Sequence, residues 1–244
     1  MTIAEIHGKI SSGGGNLSDR LEDLLTSDVF GPLRYLPFTE GLFCVLGKAR
    51  LYIDPDTTFY AKFGKNRLHE PEVEVEFWPR TGCSEPDVLV KFGDHLVVIE
   101  AKYLSGKSGD FDPENAETAS SDQLAREFRD LLEYEGDFPN RTLIYLTAHS
   151  TLPKEDLDKS YCAVDGEENK EKFRQNTYWL SWFEIRNAVE ELLDEQEDQN
   201  KKLILDDIIN LFYRKGFRKF DGFDKIELNK VGSVPKMIFY LRNN

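Results

Sequence analysis

The stretch from Glu85 to Lys102 constrains this chain more than any other. Two apolar runs, Asp87 to Phe92 and His95 to Tyr103, flank the dipeptide Gly93-Asp94. Gly93 supplies the positive φ that a type II′ hairpin turn needs at its first central position. Folded about that turn, Phe92 pairs with His95, Val90 with Val97 and Val88 with Ile99, and Asp87 then stands opposite Glu100. Opposed residues share a face, as do residues two apart along a strand. One face carries Val88, Val90, Phe92, His95, Val97, Ile99 and Ala101; it is almost wholly apolar and belongs in a core. The other carries Asp87, Leu89, Lys91, Leu96, Val98, Glu100 and Lys102, apolar in the middle and charged at the end away from the turn.

Two opposed carboxylates at about 5 Å repel each other and weaken a sheet. A bound cation removes that cost. Mg²⁺ is the natural candidate, because it is hard, takes oxygen ligands and keeps waters that a phosphate can replace. Lys102, on the same face, is placed to hold or polarise an attacking water. The other reading of these residues is a surface Asp–Lys–Glu cluster without metal, since exposed ion pairs are common and weak.

The pattern Pro86-Asp87, a gap of twelve residues, then Glu100-Ala101-Lys102 resembles the PD-(D/E)XK nuclease superfamily, which includes many restriction, recombination and repair nucleases. The order of a helix, a hairpin, a second helix and a further strand resembles it too, so the likeness spans residues 16–147. It implies an α/β fold: a restriction-endonuclease-like core with a central mixed β-sheet flanked by helices, plus C-terminal helices. It also implies hydrolysis of phosphodiester bonds in DNA, in preference to RNA, with Mg²⁺ or Mn²⁺. Asp87, Glu100 and the carbonyl of Ala101 are the implied metal ligands, and Lys102 orients or activates the water. The family often adds an acid from the helix before the sheet. Glu22, at the edge of that helix's apolar stripe, fits this role, or is an ordinary boundary residue. Some members carry a Gln on the helix after the Lys. Gln123 is in that region, as a contact to the substrate backbone, although it lies off the apolar stripe and position 127 is Glu where the family has an aromatic residue. A homodimer is a further implication. The rival function is a catalytically silent module of the same fold that binds nucleic acid or a protein.

Composition sets outer limits. The formal charge of −14 argues against a protein that coats DNA, because counterion release needs clustered Lys and Arg; a local basic groove remains compatible with it. Three widely spaced cysteines, Cys44, Cys83 and Cys162, suggest reduced thiols and a cytoplasmic location. No apolar run is long enough for a membrane span, and residues 1–15 lack the apolar region of a secretory signal.

Along the chain, Leu17, Leu21, Leu24 and Leu25 predict a helix, broken into a loop from Asp28 to Pro37. Val73 to Trp78 alternates like a strand. Residues 105–120 read as a mobile loop on the substrate side, where Lys107 is a candidate phosphate contact, although a solvated lysine is the simpler reading. A helix is predicted from Ser121 to Tyr134, a strand over Thr142 to Thr147, a charged loop over 153–175, a core strand at Tyr178 to Leu180, and helices from Ser181 to Leu193 and Lys201 to Arg214. An edge strand is predicted at Pro235 to Leu241. This order suggests a mixed sheet in an α/β domain, with a nuclease-like core over 16–180 and a helical extension over 181–244 packed on it. The basic and aromatic segment Phe212 to Lys225 reads as an amphipathic stretch with its rings in the core, in preference to a nucleic-acid contact.

Overall fold

The computed structural model describes residue 3 and residues 17–64, 72–103 and 122–218, with the side chains of the first helix described from 21 onward. Its elements are α1 (Leu17–Leu33), a 3-10 turn (Phe38–Glu40), α2 (Leu42–Leu46), β1 (Arg50–Leu51), α3 (Phe59–Phe63), β2 (Val73–Phe77), β3 (Val88–Phe92), β4 (His95–Lys102), α4 (Gln123–Glu133), β5 (Asn140–Thr147), α5 (Lys154–Ala163), α6 (Glu167–Asn176), β6 (Thr177–Ser181), α7 (Trp182–Glu195) and α8 (Gln199–Arg214). The strands form one six-stranded sheet in the order β1-β6-β5-β4-β3-β2. The hairpin side is antiparallel, whereas β4, β5 and β6 run parallel and β1 closes the far edge antiparallel. The chain is thus α/β with a mixed sheet flanked by helices.

The hairpin has the register its sequence predicts: Val88 faces Ile99, Val90 faces Val97 and Phe92 faces His95. Gly93 turns the chain at φ 53°. The two faces of the hairpin enter two different cores. Val88, Val90, Phe92, Val97, Ile99 and Ala101 pack with α1, α2, α7 and α8, while Leu89, Leu96 and Val98 pack with α4, α5 and α6. Helices therefore cover both faces, as parallel strands require, and the face expected to be only partly apolar is buried as well. Trp182 and Val189 of α7 and Leu205 and Phe212 of α8 join the same cluster as the first sheet face.

Two segments differ from expectation. The helix predicted to break at Asp28 continues to Leu33, with Pro32 inside its last turn. Val29, Phe30 and Leu33 are all fully buried, and that burial outweighs the one backbone bond Pro32 removes so close to the end. The charged segment 153–175 forms two helices, α5 and α6, instead of a loop. Leu157 and Phe173 are their fully buried apolar anchors, with Tyr161 and Ala163 partly buried beside them. Pairs such as Lys154–Asp158 and Lys172–Glu168, both four apart, lie along their wet faces and support a helix weakly. A sparse apolar stripe among charges hides the helical period.

Helix α4 ends without a basic residue in its last turn. Arg141, at the start of β5, serves instead: its guanidinium donates to the carbonyls of Leu131, Leu132 and Tyr134 at 2.7, 2.7 and 2.9 Å. Carbonyls left over at a helix end are thereby satisfied, and α4 is fixed against the strand beside β4. In the segment Phe212 to Lys225, Phe212 and Phe217 are buried in the core as expected, whereas the Tyr213 ring is exposed; residues 219–225, and the strand predicted at Pro235 to Leu241, lie outside the described residues.

Candidate active site

Glu100 and Lys102 close β4, on the row continued from Leu96 and Val98. Because β4 lies between β3 and β5 and beneath α4, this end of the row is enclosed. Glu100 is 2% exposed, and Asp87 and Lys102 are 8% each. These are not the exposed charges of a surface cluster.

Asp87 sits just before β3. Its Oδ2 accepts the Ala101 N–H at 2.8 Å, and its Oδ1 accepts the indole N–H of Trp78 at 3.1 Å. Trp78 has a positive φ of 48°, which a bulky residue adopts only when its surroundings impose it. The Trp78 N–H also donates to the Asp87 carbonyl at 3.0 Å, so backbone and indole together fix the acid. Trp78→Phe is expected to cost about 2 kcal/mol, the cost of leaving a buried acceptor without its donor; urea denaturation measures it, and an unchanged midpoint contradicts it. One step further back, Asp130 of α4 accepts the Cys83 N–H at 2.9 Å and the Ser84 hydroxyl at 2.6 Å. That tie anchors the turn leading into Pro86 and Asp87.

Glu22 reaches the site from α1. One of its oxygens lies 3.3 Å from the Lys102 ammonium, and the other accepts the Tyr103 N–H at 2.7 Å. Lys102 itself is 2.6 Å from Glu100 Oε1. The structure therefore brings Glu22, Asp87, Glu100 and Lys102 together. Gln123 joins them from α4, donating to Glu100 Oε1 at 2.5 Å. Ala101 contributes its backbone N–H to Asp87. Lys107 lies outside the described residues.

One residue was not anticipated. Glu127, one turn after Gln123, is 2% exposed. Its charge is the strongest electrostatic influence on Glu100 after burial itself. The sequence signal was present, since positions 123 and 127 share a helix face. A buried acid, however, contradicts the ordinary apolar reading of such a position.

Among the described residues, the electrostatics follow from four buried acids around one buried lysine. Burial, then repulsion by Glu100, raises the Asp87 carboxyl well above the usual range. Burial, then repulsion by Glu127, does the same to Glu100. Burial pushes Glu127 up to about 7. Burial opposes the Lys102 charge, but Glu100, Glu22 and Asp87 outweigh it and its pKa is raised. One ammonium cannot neutralise four carboxylates, and buried uncompensated charge is costly. The cluster must hold protons or take a further cation.

The donor chemistry fits a hard divalent cation: every acid offers oxygen, and Glu127 Oε2 is buried with no hydrogen-bond partner among the described residues. The acids are not yet a shell. Among the described residues, no group of three or more Asp, Glu, His or Cys side chains is arranged to hold a metal ion, and the Lys102 ammonium contacts both Glu100 and Glu22. Compared with protein-family models, with curated proteins and with solved structures, the chain matches none, so its functional reading rests on these residues.

Proposed function

We propose that this chain is a divalent-cation-dependent phosphodiesterase acting on DNA, with a restriction-endonuclease-like core. The observation that carries the proposal is the buried excess of carboxylates, Asp87, Glu100, Glu22 and Glu127, around the Lys102 ammonium, the one cation among them in the described residues. A sheet places such a cluster in its interior only at a cost in stability, and a cation offsets that cost. The resemblance of Pro86-Asp87 and Glu100-Ala101-Lys102 to the PD-(D/E)XK nucleases supports the same reading. So does the position of both motif halves on adjacent antiparallel strands, with a helix before them and a helix and parallel strand after.

Asp87 and Glu100 would hold Mg²⁺ or Mn²⁺, with the carbonyl of Ala101. When bound, such an ion supplies Lewis-acid polarisation of a phosphoryl oxygen and a lowered pKa for water. The chain's own residues do the rest. Trp78 and the Ala101 N–H hold Asp87 in place. Gln123 orients Glu100. Lys102 stays protonated among its acids, so it orients water and stabilises charge on the phosphoryl group as a donor, not as a base. Glu22 in turn restrains Lys102.

A second reading, a silent module that binds nucleic acid or protein without cleaving it, draws on the Lys102–Glu100 contact, which closes the site without any metal. Incubation of the protein with supercoiled DNA, linear duplex and RNA, in Mg²⁺, Mn²⁺ or EDTA, separates the two. Metal-dependent hydrolysis of DNA is the expected result. A tight complex that forms equally in EDTA, with no product from any substrate, supports the silent module instead.

A further inference from the structure

Two buried acids on α4 behave differently. Asp130 has the marks of a structural acid: Oδ2 accepts two hydrogen bonds from the turn at Cys83 and Ser84, and Oδ1 lies 3.6 Å from Arg129. Glu127, three residues earlier and equally enclosed, leaves Oε2 with no hydrogen-bond partner among the described residues. Its carboxyl lies against Glu100 and Gln123 and faces the charges of Asp87 and Lys102. Hydrogen bonds with Glu100 and Gln123 engage the carboxyl without reaching Oε2. A buried carboxylate beside another carboxylate, with one oxygen left unmet, is a liability to the fold. Leucine or glutamine at this place would remove the repulsion and still pack beneath α4. The arrangement makes physical sense if something positive comes to the free oxygen.

We propose that Glu127 is a ligand of the cation site, sharing a divalent cation with Glu100. The inference rests on the cation-dependent reading of the site given above and extends it by one residue. The shell it describes is all oxygen, which selects Mg²⁺ or Mn²⁺ over metals that prefer nitrogen or sulfur. Gln123 and Glu127 both meet Glu100 from α4, whereas Lys102 meets it from its own strand, β4. On this view Gln123 and Glu127, one turn apart on the same helix face, divide the work: the amide orients Glu100 and the carboxylate completes the ligand set.

The test is calorimetric titration of metal-stripped protein with Mn²⁺, for wild type and Glu127→Gln, beside thermal melts of both in EDTA. The expected result is a Mn²⁺ affinity at least about tenfold weaker in the variant, with a melting temperature in EDTA equal to wild type or higher. A structural role predicts the reverse, a lower melting temperature in EDTA and unaltered affinity, and that result overturns the inference. Unaltered affinity with an unaltered melting temperature overturns it as well, while leaving the cation reading intact. Failure of the wild type to bind Mn²⁺ removes both. Glu127→Asp keeps the charge but withdraws it by one methylene; it is expected to weaken Mn²⁺ less than the amide does, and serves as the comparison should the amide not fold.

Discussion

Lys102→Met is expected to weaken the metal-free protein by about 3–5 kcal/mol at pH 8, the usual cost of removing one partner from a buried charge cluster. Glu100 and Glu22 would then face each other across the space of the lost ammonium, which now stands 2.6 Å from one and 3.3 Å from the other. The same change should not weaken Mn²⁺ binding and should strengthen it, because the ammonium competes for the same oxygens. Saturating Mn²⁺ should therefore stabilise the variant more than it stabilises wild type. Cleavage should nonetheless fall by about 10²–10⁴-fold, the scale of losing a positioned proton donor or water-orienting group. Urea denaturation in EDTA and in Mn²⁺, with a DNA cleavage assay, reads all three effects. Reduced Mn²⁺ affinity, or undiminished cleavage, contradicts the role assigned to Lys102.

The second large effect is on pH dependence. A group whose pKa is raised on folding binds its proton more tightly in the native chain, so its stabilisation is complete below the unfolded pKa and is lost as pH climbs through the folded one. For Glu127 the window runs from its ordinary 4.5 up to about 7. Asp87 and Glu100 shift in the same direction. The metal-free protein is therefore expected to lose stability between pH 5 and 8, with Glu127 alone contributing on the order of 3 kcal/mol. Acids held low by partners act in the opposite sense. Glu40 beside Lys201 and Asp158 beside Lys154 have pKa values below the ordinary 4.5 and 3.8, so their effect is complete before this window opens. Lys102, with its pKa raised, stays charged throughout. Urea denaturation in EDTA at pH 5, 6, 7 and 8 measures the slope, and Glu127→Gln should flatten it. Bound Mn²⁺ should reverse it, since ligand carboxylates must be deprotonated. A metal-free stability that rises over this range contradicts the picture of crowded acids.

The hairpin was legible because its period is two and its turn is marked by Gly93. Those two facts fix the register, and the register carries Asp87, Glu100 and Lys102 to one end of one face. Glu22 was legible from its edge position on a helical stripe. What escaped reading has a physical cause in each case. The burial of Val29, Phe30 and Leu33 extends α1 past Gly31 and Pro32, and a tertiary gain of that kind leaves no local mark. Helices α5 and α6 carry so few apolar residues that charge masks their period. Trp78 reads as the last residue of a strand, yet it turns into the left-handed region to bring its indole to Asp87. Gln123 lies off the apolar stripe formed by Leu124, Phe128 and Leu131, because that stripe points at the middle of the sheet. Gln123 and Glu127 point instead at its charged end. The absence of an aromatic residue at 127 was visible; that the glutamate there turns inward was not.

The measurement that bears most directly on the central claim compares wild type with a Glu100→Ala variant shown to be folded by circular dichroism. Both are given plasmid DNA in Mg²⁺ and in EDTA. Cleavage by wild type that requires Mg²⁺ and disappears in the variant is the predicted result. Cleavage by the folded variant at the wild-type rate would contradict the account, because the reaction would then proceed without the carboxylate at the centre of the site.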